Sequence, residues 1–330
     1  MPTLAGKQIT QNGLGLMRLT WITPAVPDEQ AFKVLKAALS AGINVWNGGD
    51  FYGPPDNNSL HLMNRYFTAY PEDAEKVVLC IKSGLKSKNP YTMDCSASGL
   101  RGFVENALSV LDGKKKIDIF GISRVDPNIP IEESVKALAD LRDEGKFNGI
   151  QLTEVKAETI RRAAKVTKID MVEAEVSLWS RDVFSNGVAA TCADLGIVLV
   201  AHTPLGAGML TGNISGLEDL VGNPTAHMPR FLEENLEKNV KLAQALREFA
   251  TSKGCTPAQL ALSWVKQQSG KPGMPVVVPV AGARSEGRVL ENIVDVELSD
   301  EDLDEIDAIL DRFPVSGGRL PDAAARFNEY

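Results

Sequence analysis

What most constrains this chain is an alternation. Eight short apolar runs rich in β-branched residues recur along it, separated by longer segments of helical period. The runs are Gly13–Met17, Ile43–Asn47, Val77–Lys82, Ile117–Ser123, Gly149–Thr153, Met171–Glu175, Val198–Thr203 and Val276–Val280. Several are apolar without a break, as strands covered on both faces must be, and strands that alternate with helices predict a parallel sheet joined by crossovers. Eight parallel strands leave no unprotected edge only if the sheet closes, so the expected fold is an α/β (β/α)8 TIM barrel. The rival, an open doubly wound sheet, would carry a G-x-G-x-x-G turn after an early strand, and none is present. Barrels of this kind commonly exceed about 250 residues as one unit, so residues 1–330 are read as a single domain with extra C-terminal helices.

The intervening helices have readable ends. Asp28 opens one in N-cap position and Gly42 closes it. Pro130 starts another that finishes at Glu144-Gly145-Lys146, acidic at its start and basic at its end as the helix dipole favours. Beyond the seventh strand, a Gly-, Pro- and Asn-containing stretch runs from Leu205 through Gly222-Asn223-Pro224 to a helix near Leu232–Lys253. Long loops inside compact domains are usually functional. Further helices are expected from Thr256-Pro257, near Ser285–Ile293 and near Ser299–Leu310, and the tail from Phe313 to Tyr330 either covers the barrel mouth or frays.

Composition narrows the function classes. A net charge of −8 and no basic cluster argue against a nucleic-acid partner. No apolar run approaches the roughly 20 residues of a membrane span, and MPTLAGKQIT lacks the features of a signal peptide, so a cytoplasmic location, with the nucleus as an alternative, is expected. The four cysteines show no C-x-x-C pair or metal-ligand spacing, so no metal is expected; Cys80, inside VVLCI, is read as a buried small hydrophobe. Oligomeric state is not written in the sequence.

Active sites of parallel barrels lie at the C-terminal strand ends. There the second run leads into Asn47-Gly48-Gly49-Asp50-Phe51-Tyr52-Gly53, the third ends at Lys82, the fourth at Ser123-Arg124 and the fifth at Thr153-Glu154. A lysine ending an apolar run needs a partner, and a tyrosine on the neighbouring loop supplies one. The cation is expected to lower the phenol pKa toward a value useful for proton transfer to a carbonyl. The bland alternative is a lysine that snorkels to solvent beside a tyrosine that merely packs.

The order of motifs resembles the aldo-keto reductase family over roughly residues 10 to 312. It is carried by Gly13-Leu14-Gly15-Leu16-Met17, Tyr52-Gly53, Lys82, Ile117-Asp118-Ile119-Phe120, Ser177-Leu178-Trp179-Ser180-Arg181, Pro204 through Gly212, Gln259 through Val265, and Gly282-Ala283-Arg284 with Glu291-Asn292. Within that family, Trp46 through Gly53 with Asn58-Ser59-Leu60-His61-Leu62 is similar to the fungal pyridoxal reductases.

The resemblance implies a catalytic set of Asp, Tyr, Lys and His. The tyrosine falls on Tyr52 and the lysine on Lys82, but Asn47 stands in the aspartate position and Ser123 in the histidine position. Asn47 accepts a hydrogen bond without supplying charge, so Lys82 is expected to be less stabilised than beside an aspartate, unless Asp50 turns inward to compensate. Ser123 can donate to a carbonyl oxygen but cannot relay a proton as histidine can. Arg124 is read as structural and facing away.

The resemblance also implies a nicotinamide cofactor. Thr153, Glu154 and Glu173 fall where its carboxamide is held, and His202 where a ring stacks on the nicotinamide. Pro204, Leu205, Gly206, Gly208 and Leu210 fall along the pyrophosphate. Gly282, Ala283, Arg284, Arg288, Glu291 and Asn292 fall around the adenine and 2′-phosphate. Two guanidinium groups there favour NADPH over NADH. The implied reaction is reduction of a small aldehyde, pyridoxal to pyridoxine, with Tyr52 as general acid. The alternatives are a general aldehyde or ketone reductase of the same family and a cofactor-binding regulatory subunit resembling the potassium-channel β subunits.

Overall fold

The computed structural model describes residues 1–22, 24–221, 225–321, 325 and 327–329. All eight expected runs are strands: β1 Gly13–Gly15, β2 Val45–Gly49, β3 Val78–Ser83, β4 Ile117–Ile122, β5 Phe147–Thr153, β6 Met171–Glu175, β7 Val198–His202 and β8 Val277–Gly282. Each pairs in parallel with the next, and β8 closes onto β1 through Val280–Gly13, Ala281–Leu14 and Gly282–Gly15. The fold is therefore the expected closed (β/α)8 barrel.

Most strand boundaries shift by one or two residues from the sequence reading, and two of the shifts shape the site. The first strand stops at Gly15, because Met17–Thr20 already forms a helical turn. The second starts later and extends past Asn47 through Gly48-Gly49, which pair with Ile81 and Lys82 of β3. That extension carries Asp50 and Tyr52 out to the strand ends.

The helices lie between strands as expected, with one cap corrected. The helix Asp28–Ser40 is capped by Pro27, and Asp28 is its first residue. The Asp28 carboxylate instead receives Arg65 Nε at 2.6 Å and NH2 at 2.9 Å. Thr256, Ser285 and Ser299 do cap the helices Pro257–Gln267, Glu286–Asn292 and Asp300–Arg312 through their hydroxyls. The stretch after β7 contains the short turns Gly206–Thr211, Leu217–Leu220 and Pro229–Phe231 before the helix Glu233–Ser252. Its Gly222-Asn223-Pro224 segment lies outside the described residues.

Two apolar clusters hold the barrel. Inside, Val45, Val78, Cys80, Ile119, Met171, Val198, Val200, Val278 and Val280 pack with Leu4 and Ile9. Leu4 lies in, and Ile9 just after, the N-terminal hairpin Thr3–Leu4/Lys7–Gln8, which closes the barrel at the strands' N-terminal end. Outside, the strand faces and helices share a larger cluster that includes Trp46, Tyr66, Phe67, Phe120 and Trp264. Each such side chain contributes about 1.5–3 kcal/mol by leaving water. Cys80 is fully buried, and burial pushes its thiol well above the usual range. Among the described residues no helix is long and apolar enough to cross a membrane. With the N-terminal end plugged, the polar chemistry collects at the other.

Candidate active site

The loop after β2 is fixed from several sides. Ser59 Oγ donates to the Gly49 carbonyl at 2.6 Å and Asn58 Nδ2 to the Asp50 carbonyl at 2.6 Å. Thr20 Oγ1 donates to the Tyr52 carbonyl at 2.6 Å. Gly53 has φ of 127°, and a Cβ there would sit 2.7 Å from the Asn57 carbonyl oxygen, so the residue after Tyr52 must be glycine. Phe51 meets the Tyr52 ring edge-on at 4.8 Å, and Trp21 lies tilted against it at 5.5 Å. Lys88 Nζ stands 4.3 Å from the centroid of the Trp21 ring.

Lys82, the fifth residue of β3, points into this corner with its Nζ 5.2 Å from the centroid of the Tyr52 ring. Nζ also lies 2.8 Å from both carboxylate oxygens of Glu173 on β6, and it donates to Asn47 Oδ1 on β2. Asn47 Nδ2 in turn donates to Glu173 Oε2 at 2.9 Å. Lys82 and Glu173 are only 3% and 2% exposed, so the charged pair is desolvated and depends on its own geometry.

This arrangement removes the bland alternative for Lys82 and reverses the expected direction of the Tyr52 shift. Lys82 does not snorkel. Burial alone would lower its pKa, but the Glu173 charge and then Tyr52 outweigh that and hold it above its ordinary value. Glu173 is held below the ordinary carboxylate range because the Lys82 and His202 charges and the bonds from Lys82 and Asn47 exceed the cost of burial. Tyr52 moves opposite to expectation: burial raises its phenol pKa by more than Lys82 lowers it, with Glu173 adding to the rise. The phenol is therefore held in its protonated form, the form an acid needs.

Asp50 does not replace the missing aspartate. Its Oδ2 takes a hydrogen bond from Ser83 Oγ, its Oδ1 is buried without a hydrogen-bond partner among the described residues, and burial raises its pKa to about 6 against the opposing hydrogen bonds.

The opposite side of the mouth is a second charge network. Glu154, at φ of 57°, is fully buried at the end of β5. Its Oε1 lies 2.6 Å from His202 Nε2 and accepts the Glu175 amide at 2.8 Å, while its Oε2 pairs with Arg319. Despite burial, these partners hold Glu154 far below the ordinary carboxylate range. Glu175 Oε1 accepts Ser180 Oγ at 2.8 Å, and its Oε2 accepts Arg319 Nε at 3.0 Å. Arg230 NH1 lies 2.8 Å from Ser180 Oγ. The described part of the tail thus covers the mouth: Arg319 spans Glu154 and Glu175, Phe327 packs on Tyr91 at 4.9 Å, and Glu329 Oε1 accepts Thr159 Oγ1 at 2.9 Å.

The sequence-predicted residues divide accordingly. Tyr52, Lys82, Asn47 and Glu173 come together in one cluster. Glu154 and His202 join the second, so the His202 ring is held at both nitrogens, with Nδ1 2.9 Å from Thr203 Oγ1. Ser123, just past β4, and Thr153, the last residue of β5, carry buried hydroxyls with no hydrogen-bond partner among the described residues. Arg124 does not face away. Its NH1 donates to the Ser123 carbonyl at 2.5 Å and its charge reaches Tyr52, Tyr91 and Glu154.

The third group lines the rim beyond β7 and β8. Gly206 and Gly208 have φ of 57° and 106°, so the backbone from Pro204 to Leu210 turns in the left-handed region. Arg284 and Arg288 are exposed, with Arg288 paired to Glu291, while Ala283 and Asn292 are buried beneath. Arg18 lies near Arg284, and burial and then that neighbouring charge lower its pKa; its Cγ is 3.0 Å from where a Cβ on Gly282 would stand. Exposed guanidiniums beside small residues fit a phosphate-bearing dinucleotide, and the two unpartnered hydroxyls fit its carboxamide and the substrate oxygen.

Sequence reasoning missed Glu175, Ser180, Arg230, Arg319 and Trp21. A signal existed for the network, since three carboxylates at the ends of β5 and β6 require cations. Which cations answer them follows only from the fold.

A closed parallel barrel with a lysine–tyrosine pair at its C-terminal mouth defines an oxidoreductase of the aldo-keto type. The chain matches the Aldo/keto reductase family over residues 13–311 and belongs to that family. It is 37% identical over 328 residues to "Probable pyridoxal reductase 2" of Schizosaccharomyces pombe, covering 97% of each chain. It is 34% identical to "Putative pyridoxal reductase" of Saccharomyces cerevisiae over 93% of this chain and 94% of that one. It is also 34% identical to "Probable aldo-keto reductase 1" of Glycine max, over 98% and 92% of the two chains. Among solved structures, a glycerol dehydrogenase from Gluconobacter oxydans superposes with a TM-score of 0.80 at 23% identity, over 97% of this chain and 98% of that one, a likeness of fold.

Proposed function

We propose that this chain reduces pyridoxal to pyridoxine with NADPH, Tyr52 giving the proton to the aldehyde oxygen. The observation that carries the reading is the Lys82 ammonium 5.2 Å from the Tyr52 ring centroid, at the open end of the barrel. Two relatives named as pyridoxal reductases, matched nearly end to end, support the substrate. When bound, the dinucleotide supplies the hydride.

The residues here bind, orient and protonate. Tyr52, its phenol kept protonated by burial, donates O–H to the carbonyl oxygen as negative charge develops there. Lys82 beside it stabilises the phenolate that results. Ser123 Oγ gives the oxygen a second donor. Thr153 Oγ1 holds the carboxamide, Pro204, Leu205, Gly206, Gly208 and Leu210 follow the pyrophosphate, and Arg284 and Arg288 take the 2′-phosphate, with Gly282, Ala283, Glu291 and Asn292 about the adenine. Trp21 and Phe51 wall the side where a flat aromatic aldehyde enters.

The test is loss of NADPH absorbance with purified protein across an aldehyde panel. The reading expects turnover with pyridoxal at a kcat/KM at least about tenfold above that for an aromatic aldehyde lacking the ring nitrogen, a gap of roughly 1.4 kcal/mol. Absence of turnover with any aldehyde sinks it. The second reading, a general aldehyde or ketone reductase, is favoured by the 34% identity to the Glycine max relative, and equal kcat/KM across the panel decides for it.

A further inference from the structure

We infer that Glu173 is a positioning residue for proton transfer, the carboxylate that holds the Lys82 ammonium against Tyr52 from across the barrel. The inference deepens the proposed function and rests on its reading of Tyr52 and Lys82. It also takes Glu173 away from the carboxamide.

The argument begins with desolvation. A lysine only 3% exposed is retained as an ammonium only if a carboxylate meets it with good geometry. Of the groups around Nζ, Asn47 is neutral and the Tyr52 phenol is protonated. Asp50 is bonded to Ser83 instead. Among the described residues, Glu173 is the one that brings a negative charge to Nζ, with both oxygens at 2.8 Å. Asn47 bridges the pair, accepting from Nζ and donating to Glu173 Oε2 at 2.9 Å, so Glu173 has no oxygen left idle. A carboxylate so engaged is poorly placed to accept an amide from a ligand, and an ionised one cannot donate to it.

The same contacts predict that the charge can be moved. Asn47 already touches Nζ, so aspartate at that position puts a carboxylate against the same ammonium from β2. Asn47→Asp combined with Glu173→Gln therefore exchanges the two side chains' roles, leaving one acid, one amide and one ammonium in the cluster.

The experiment compares wild type with Glu173→Gln, Lys82→Met, Lys82→Met/Glu173→Gln and Asn47→Asp/Glu173→Gln, each as the full chain. Thermal unfolding needs no substrate. Breaking a buried pair on one side is expected to lower Tm by roughly 5–10 °C, while the neutral double variant loses clearly less than the sum of its singles and the exchanged variant recovers most of the loss. In turnover, Glu173→Gln is expected to lower kcat at least about tenfold with the NADPH KM within about twofold, and Asn47→Asp restores kcat in that background.

Additive losses in Tm overturn the inference, because Glu173 then stabilises without reference to Lys82. A raised NADPH KM without rescue by Asn47→Asp also overturns it, in favour of a carboxamide-holding role. If Glu173→Gln fails to fold, a folded Lys82→Met/Glu173→Gln chain supports the pairing and an unfolded one contradicts it. A wild-type chain that reduces no carbonyl sinks the proposed function, and the melting cycle still decides whether Glu173 and Lys82 act as a pair.

Discussion

Arg319 in the C-terminal tail reaches back over the barrel mouth and places its Nε 3.0 Å from Oε2 of Glu175 at the end of β6. Its NH2 pairs with Glu154 at the end of β5, so one guanidinium spans two strand ends. The tail is thereby part of the mouth wall.

Replacing that guanidinium leaves a fully buried carboxylate short of a cation. Arg319→Ala is expected to lower stability by about 2–3 kcal/mol and to speed proteolysis in the tail without moving the barrel's circular dichroism. Glu154 is depressed by His202 and Arg319 against its burial, so the stability it contributes is full above its ordinary value of 4.5 and lost as pH falls below it. The mutant's deficit should accordingly be largest near neutral pH and shrink in acid. A deficit that does not change between neutral pH and acid contradicts this.

Asp50 gives the opposite sign. Its pKa is raised from 3.8 to about 6, chiefly by burial, so the folded chain is penalised as pH rises through that interval. The ceiling is about 3 kcal/mol, reduced by screening because the residue is only half-buried. Asp50→Asn should raise Tm relative to wild type at pH 7.5 and lose that advantage near pH 4; an advantage that grows toward pH 4 contradicts the assignment.

Arg284 is exposed and engaged by Gln30 only through its carbonyl, at 2.5 Å, which leaves its guanidinium available at the rim. Arg284→Ala is expected to raise the KM for NADPH about tenfold, or roughly 1.4 kcal/mol, and to leave that for NADH unchanged. Equal effects on both dinucleotides would remove it from the 2′-phosphate.

Strands buried on both faces announce themselves as unbroken apolar runs, which is why the barrel was legible before any coordinate. Gly48-Gly49 was misread because glycine carries no strand signal, and pairing with β3 decides its state. Lys82 and Tyr52 were legible because the strand-end rule brings adjacent strands' polar termini together. Glu173 was seen but its contact with Lys82 was not: the two lie 91 residues apart, and the contact depends on the closure of the barrel. Arg319, 144 residues from Glu175, was beyond reach for the same reason. The direction of the Tyr52 shift was missed because depth of burial, which outweighs the lysine, is not written in the chain.

Turnover of Tyr52→Phe against wild type, at saturating NADPH and pyridoxal, tests the account most directly. The substitution keeps the ring packed between Phe51 and Trp21 and removes only the proton donor. The account predicts a fall in kcat of at least about 100-fold with NADPH binding unchanged by fluorescence titration; a variant that turns over pyridoxal at the wild-type rate contradicts it.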